Sequence, residues 1–372
     1  DFETAEILRI PLQMLCLQML SFGFPASAML GKAIEPPPAE DVKAALTRLR
    51  ELSAVRADRE QLTPLGYHLA NLPVDAQIGK LLIFGGLFQC LEPAMIIASF
   101  LCSRSPFLKP FDKREEADRA RQRFCYGKSD LLTYVNAFKQ FRIARKQGRN
   151  QANQFCSENF LSFSGMESVV QQNQQFREAL LDIGFISRHE KTYWNANADE
   201  YRILSAVICA ALYPNIVRVR KPESTYTASV HGNVENQAEA RKFRFYLSDR
   251  AQIAIHPSSV NFQQNSYESP WLVYFEKFKT SRLFLRDTTM VWPYALLLFG
   301  GDIEVDHMES LLRLSTWMVF KAPARIGVLV RELRKAFDQL LMIKIKDPSF
   351  RLQSAPLLEG IFLLLRTDGF VN

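Results

Sequence analysis

Along the first half of the chain, apolar residues recur at helical spacing. Leu8, Leu12, Leu15 and Met19 fall on one helix face. Pro36-Pro37-Pro38 breaks the pattern, and Ala39-Glu40-Asp41 opens a second helix carrying Leu46, Leu49 and Leu52. A brief polar hairpin is expected around residues 56–61, followed by Leu62-Thr63-Pro64-Leu65-Gly66 and a short helix ending near Leu72-Pro73. The run from Ile78 through Phe100 is densely apolar, but it contains a lysine, a glycine pair and Glu92-Pro93. It therefore reads as a buried pair of core helices and not as a membrane span. Further helices are predicted over 114–123, 129–146, 155–161 and 169–183.

From about Ile216 the period changes to two. Short alternating runs at 217–220, 226–230, 243–247, 253–255, 271–278, 282–285 and 317–320 predict several strands separated by polar turns, the pattern of a small barrel or sandwich. A closing helix is expected from Ala322 to about Ile345, and a last one over 357–365. The predicted class is multidomain, mainly α with a C-terminal β-barrel. In order, residues 1–73 suggest a small winged-helix unit, 74–200 a helical bundle, 201–321 the barrel and 322–372 a helical extension.

Charge changes this picture in one place. The 372 residues carry a formal net charge of +7, which favours an acidic partner such as nucleic acid or an anionic surface. Between Lys113 and Asn150 alone, eleven Lys or Arg stand against four Asp or Glu. That segment reads either as a solvated helical face or as one wall of a groove for a phosphate backbone. The six cysteines are scattered without Cys-x-x-Cys spacing and read as reduced residues of an intracellular protein, with cytoplasm the expected compartment. The five histidines show no local zinc spacing. No signal peptide is visible at the start.

Tyr126-Gly127-Lys128-Ser129-Asp130 imitates the end of a nucleotide-binding phosphate loop. Such a loop needs a glycine five residues before its Gly-Lys-Ser and a strand ahead of it, and here Gln122 and a charged helical run stand instead. Ser129 and Asp130 read as the N-cap of the following helix, an end that also offers N–H groups to phosphate.

The order of short motifs is more specific. Leu62-Thr63-Pro64-Leu65-Gly66, Ile78-Gly79-Lys80, Cys90-Leu91-Glu92-Pro93, Ser105-Pro106-Phe107, Ser129-Asp130, Leu212-Tyr213-Pro214, Ile255-His256-Pro257-Ser258-Ser259, Lys279-Thr280-Ser281 and Leu298-Phe299-Gly300-Gly301 follow one another through the chain. This series closely resembles the region after the motor domains of DEAH/RHA-type ATP-dependent RNA helicases. The resemblance implies a winged-helix domain, a helical ratchet domain, an OB-fold and a C-terminal extension. It also implies RecA-like motor domains as partners, holding ATP and Mg2+, and a channel for single-stranded RNA. No cofactor or metal is expected in these residues, which contain none of the ATPase motifs.

The RNA-contact candidates carried by the resemblance and by residue chemistry are Ser129, Asp130, Asn136, His256, Ser258, Ser259, Lys277, Thr280, Ser281 and Arg282. Each has a plainer reading: helix cap, loop tie, strand-end turn or solvated sheet surface. Asp287 is expected to fix its turn or an arginine. Two functions compete. One is an RNA-gripping, motor-coupling module for 3'-to-5' unwinding or ribonucleoprotein remodelling. The other is a docking scaffold for ribosomal or other ribonucleoprotein components of a translation-related helicase, with no membrane role.

Overall fold

The computed structural model describes residues 11–188, 193–221, 226–229, 232–235, 243–248, 251–262, 264–280, 282–315, 317–347, 350 and 356–368. Ten strands occur among them: β1 (Ile216–Arg220), β2 (Tyr226–Ser229), β3 (Gly232–Glu235), β4 (Arg244–Tyr246), β5 (Gln252–Ile255), β6 (Trp271–Lys279), β7 (Leu283–Val291), β8 (Ile303–Asp306), β9 (Leu311–Leu314) and β10 (Met318–Lys321). The chain divides into two compact units, each assembled from separated stretches. One comprises residues 1–99, 171–214 and 294–372, and the other 100–170 and 215–293.

In the first unit, the Ala39–Glu51 and Pro64–Ala70 helices flank a hairpin closed by the Val55–Leu62 bridge. The Thr-Pro-Leu-Gly motif has a physical explanation here. Thr63 caps the second helix, its Oγ1 accepting from Gly66 N at 3.0 Å and donating to Ser53 O at 2.6 Å. Pro64 occupies the first turn, where its missing N–H costs nothing. Gly66 lies against the hairpin so closely that a Cβ would sit 1.9 Å from Ala54 O.

The predicted apolar helix pair appears as Ala76–Leu87 and Leu91–Leu101. Phe88, fully buried, lies 5.6 Å from Phe299, 5.8 Å from Phe337 and 5.7 Å from Phe362, ring centre to ring centre. This aromatic core gathers helices far apart in sequence, including Pro293–Phe299, Ala324–Lys346 and Pro356–Thr367. Lys80 is buried with them, and its ammonium donates to Leu52 O at 2.9 Å, satisfying a carbonyl at the end of the Ala39–Glu51 helix. Burial lowers its pKa to about 8. Strands β8, β9 and β10 form a separate antiparallel sheet in this unit. No described helix is long and apolar enough to cross a membrane.

The second unit contains a closed barrel with strand order β1-β4-β5-β7-β6. Its pairings are antiparallel except β5 with β7. Val217, Leu272, Val273 and Leu285 are completely buried; β5 alternates between buried and more exposed positions, whereas the first four residues of β6 are buried on both faces. Helices Arg114–Gln122, Asp130–Lys146 and Arg149–Glu158 belong to the same unit.

The structure extends the periodicity reading at several points. Helices Tyr201–Leu212 and Pro293–Phe299 and strands β3, β8 and β9 are additional elements. Strand β7 continues six residues past the predicted end at Leu285, through Arg286-Asp287-Thr288-Thr289. That polar run resembles a turn, yet Asp287, Thr288 and Thr289 are buried.

The close approach at Gly66 makes a direct prediction. Gly66→Ala must push the hairpin carbonyl aside, so urea unfolding should show a destabilisation of about 3 kcal/mol.

Candidate nucleic-acid interface

The stretch that imitates a phosphate loop is a tight hairpin turn. Tyr126 and Ser129 form an antiparallel bridge, and the two residues between them, Gly127 and Lys128, have φ of 58° and 52°. Two consecutive left-handed residues closing a two-residue loop are the mark of a type I′ turn. Gly127 meets that demand without strain; Lys128 meets it at a cost. Lys128 is not extended towards a ligand. Its ammonium donates to Gln264 Oε1 at 3.1 Å and to Ser266 O, and sits 5.1 Å from the centre of the Tyr267 ring.

After this turn, Ser129 caps the Asp130–Lys146 helix, its Oγ accepting from Leu132 N at 3.1 Å. The same hydroxyl lies 2.7 Å from Thr289 Oγ1, and Lys128 O accepts from Met290 N at 3.2 Å and Asn261 Nδ2 at 3.0 Å. The helix start is thereby joined to β7.

Asp130 is the centre of the joint and is completely buried. Its Oδ1 accepts from Val260 N at 2.8 Å and Arg121 Nη2 at 3.2 Å. Its Oδ2 accepts from Ser259 Oγ at 2.5 Å, Thr288 N at 2.9 Å and Thr288 Oγ1 at 3.3 Å. Arg121 is held over the faces of Phe107 and Tyr134, 4.9 and 5.7 Å from their centres. A carboxylate in such a place is tolerable only because every lone pair has a donor and the helix N-terminus adds its own positive end.

Asp287 is the second acid of the cluster. It adopts φ of 55° within β7 and accepts from Tyr134 Oη at 2.7 Å. Burial, reinforced by the nearby Asp130 charge, pushes its pKa up to about 6. Of the two expectations for Asp287, the turn is corrected, because the residue lies inside a strand and ties it to the helix through Tyr134, while the arginine is present: Arg286 Nε lies 3.9 Å from Asp287 Oδ2.

At the far end of β6 and β7 the surface is different in kind. Register pairs Lys277 with Leu285, Phe278 with Phe284 and Lys279 with Leu283. Directly opposed residues share a face, so the lysines share theirs with two leucines and leave the other to the phenylalanines. Lys277, Lys279, Thr280 and Arg282 are exposed, and Thr280 N donates to Arg282 O across the turn at 2.9 Å. None of the three cations has an acidic partner among the described residues, whereas neighbouring Arg286 is paired with Glu276. Phe278 stacks with Phe284 at 6.1 Å, and the His256 ring lies 5.4 and 5.7 Å from them. Ser258 N donates to His256 Nδ1 at 3.1 Å, and Ser258 Oγ lies 2.7 Å from the same atom. Burial and then Arg286 lower the His256 pKa, so the ring is neutral at pH 7.

Four family models match this chain in succession. They are the winged-helix part of the helicase-associated domain over residues 45–74, its ratchet-like part over 75–134, an oligonucleotide/oligosaccharide-binding fold over 204–303, and the C-terminal domain in RNA helicases over 310–367. The chain is 39% identical to human DHX57 over 379 residues. It is 40% identical to the human ATP-dependent DNA/RNA helicase DHX36 over 355 residues and 35% identical to the human ATP-dependent RNA helicase DHX29 over 379. The chain belongs to the C-terminal region of the DEAH-type RNA helicases.

These alignments cover 94%, 94% and 99% of the chain but 27%, 34% and 27% of the relatives, in each case their C-terminal region. In this helicase region the candidate residues separate into groups. Ser129, Asp130 and Ser259 are internal, with their polar atoms consumed by one another and by β7. Asn136 is half-buried and donates to Phe124 O at 3.1 Å, tying its helix to the preceding loop. His256 and Ser258 line an aromatic patch, while Lys277, Thr280 and Arg282 stand at the hairpin tip. Ser281 lies outside the described residues. Sequence reasoning missed Arg121, Tyr134, Asn261, Thr288 and Phe284; the only available signal was a polar run, Asp287-Thr288-Thr289, set between strand-forming residues.

Two measurements test the joint. Asp130→Ala leaves the Arg121 charge buried without its partner, and chemical denaturation should register a destabilisation of about 3–5 kcal/mol. For Asp287 the folded pKa lies above the ordinary carboxylate value. Its protonated form therefore stabilises the fold below about pH 4, and this contribution, about 3 kcal/mol for a shift from 3.8 to about 6, is lost as pH rises through about 6. Asp287→Asn removes that dependence, so its melting temperature relative to the parent should climb between pH 4 and pH 7.

Proposed function

We propose that this chain is the RNA-gripping and motor-coupling module of an ATP-dependent helicase, acting on single-stranded RNA. The observation that carries the reading is the β6–β7 tip, where Lys277, Lys279 and Arg282 are exposed without acidic partners among the described residues, while the His256, Phe278 and Phe284 rings cluster on the opposite face of the strand pair from the two lysines. Single strands are held by cations along the phosphates and by flat rings under the bases, a combination that tolerates any sequence. Neutral His256 offers a ring and a hydrogen bond without a fixed charge.

Ser129, Asp130 and Ser259 act in this reading as positioning residues. They fix the Asp130–Lys146 helix against β7, so a push on one reaches the hairpin tip through the other. The partners are RecA-like motor domains, which would supply the ATP and Mg2+ chemistry; the module contributes grip. Unwinding and ribonucleoprotein remodelling both need a strand held while the motor moves.

Fluorescence anisotropy with unstructured polyuridine tests this reading. Affinity should fall steeply with salt, and Lys277→Glu with Arg282→Glu should lower the slope of log K against log salt by about 0.7 for each phosphate that is no longer neutralised. Unchanged affinity and slope in that double variant would remove the hairpin tip from the interface and favour a docking scaffold.

A further inference from the structure

The barrel closes on itself, but the three-stranded sheet of the first unit does not. Its order is β10-β9-β8, so β10 is an outermost strand among the described residues. The register fixes which backbone groups that strand leaves open. Ala322 N donates to Ser310 O at 3.0 Å just beyond β10, and the pairs Phe320–Leu312 and Met318–Leu314 follow at two-residue steps. Hydrogen-bonded pairs in an antiparallel ladder recur at every second residue. Met318 and Phe320 are therefore turned to β9, and the N–H and C=O groups of Val319 and Lys321 face outward.

Native sheet edges are ordinarily blunted by a bulge, a proline or a covering element. The inner face of this sheet is covered at β8 and β9, where a Cβ on Gly327 of the Ala324–Lys346 helix would lie 2.7 Å from Val305 and 2.8 Å from Leu312. At β10 four pairs run in unbroken register, Val319 is exposed and Phe320 is only half-buried. The two faces of the edge differ in chemistry. Phe320 shares the inner face with buried Met318, Leu312 and Leu314, and Lys321 shares the outer face with Val319 and Arg313. Arg313 lies near Asp306 and Glu309. Exposed Lys321 and Arg325 have no acidic partner among the described residues.

We propose that β10 is a docking edge for an extended segment of a partner protein in which acidic and apolar residues alternate, adding a fourth strand to this sheet. Strand addition takes its affinity from main-chain hydrogen bonds and its specificity from alternate side chains. Here the main-chain groups of Val319 and Lys321 supply the first. For the second, acids on the incoming strand would lie beside Lys321 on the outer face, and apolar residues would cover the open side of Phe320 on the inner one. RNA is the poorer fit, because phosphates accept hydrogen bonds and leave the outward carbonyl groups unmet. A second copy of this chain is also a poor fit, since it would bring Lys321 and Arg325 towards their own like charges. The edge belongs to the first unit and rests on no RNA contact, so it stands or falls apart from the hairpin tip.

The test uses the whole 372-residue chain and two capped peptides, one of repeating Glu-Val and one of repeating Lys-Val. The Glu-Val peptide should bind more tightly, and its failure to bind at millimolar concentration overturns the proposal, as does a preference for Lys-Val. Lys321→Glu should weaken the Glu-Val peptide about fivefold or more and reverse the preference. Val319→Pro removes an outward N–H while keeping the ladder to β9, and should weaken the same peptide about tenfold. Should these variants misfold, amide exchange of the unaltered chain read by NMR decides the matter. The Glu-Val peptide should slow exchange at Val319 and Lys321 and leave Met318 and Phe320, already bonded to β9, as they were. Protection that omits Val319 and Lys321 overturns the proposal. So does protection of these two amides by polyuridine, or a dimer in sedimentation of the chain alone that Val319→Pro abolishes.

Discussion

The second unit depends on the burial of one carboxylate. Asp130 gives up its water completely, and five donors from three distant stretches replace it: Arg121, the Ser259-Val260 loop and Thr288 on β7. Desolvating a charge costs several kcal/mol unless each lone pair is met, so the arrangement is close to all-or-none. A helix that starts at residue 130 can be seated only when residues 259–260 and 288 are already in place. The barrel's β7 and the helix are for that reason one mechanical piece.

Strain gathers at the same joint. Lys128 and Asp287, neither of them glycine, both hold left-handed backbone, and they flank Asp130 on either side of the joint. Of the two neighbouring acids, Asp130 takes the available donors, and burial pushes the pKa of Asp287 up to about 6. Non-glycine residues in such conformations persist where surrounding bonds over-determine them, and here the surrounding bonds are those of Asp130 and Tyr134.

Much of the architecture is legible in the sequence because its cause is local. The Ser129 cap, the helix after it and the strand-forming runs of β1, β5 and β6 follow from residues within a few positions. Thr63-Pro64-Leu65-Gly66 could be recognised as a motif, but the reason for its glycine lies about twelve residues away, at Ala54 O. The polar run 287–289 misleads because its residues find hydrogen-bond partners about 150 to 160 residues upstream, and only the fold brings them close. For the site, the basic hairpin at 277–282 can be read directly. The division of its neighbours into exposed groups and internal supports cannot, since Ser258 and Ser259 look alike in sequence while one faces His256 and the other Asp130.

We propose that the barrel presents the exposed cations of its β6–β7 tip to RNA while the buried Asp130 joint stays out of reach of the strand. Hydrogen–deuterium exchange across the chain, with and without unstructured single-stranded RNA, measures this most directly. Added RNA should slow exchange at residues 277–285 and 255–258 and leave the amides of Leu132 and Thr133 beside Asp130 as they were, since these are already held inside. RNA-dependent protection that skips the β6–β7 tip would contradict the claim.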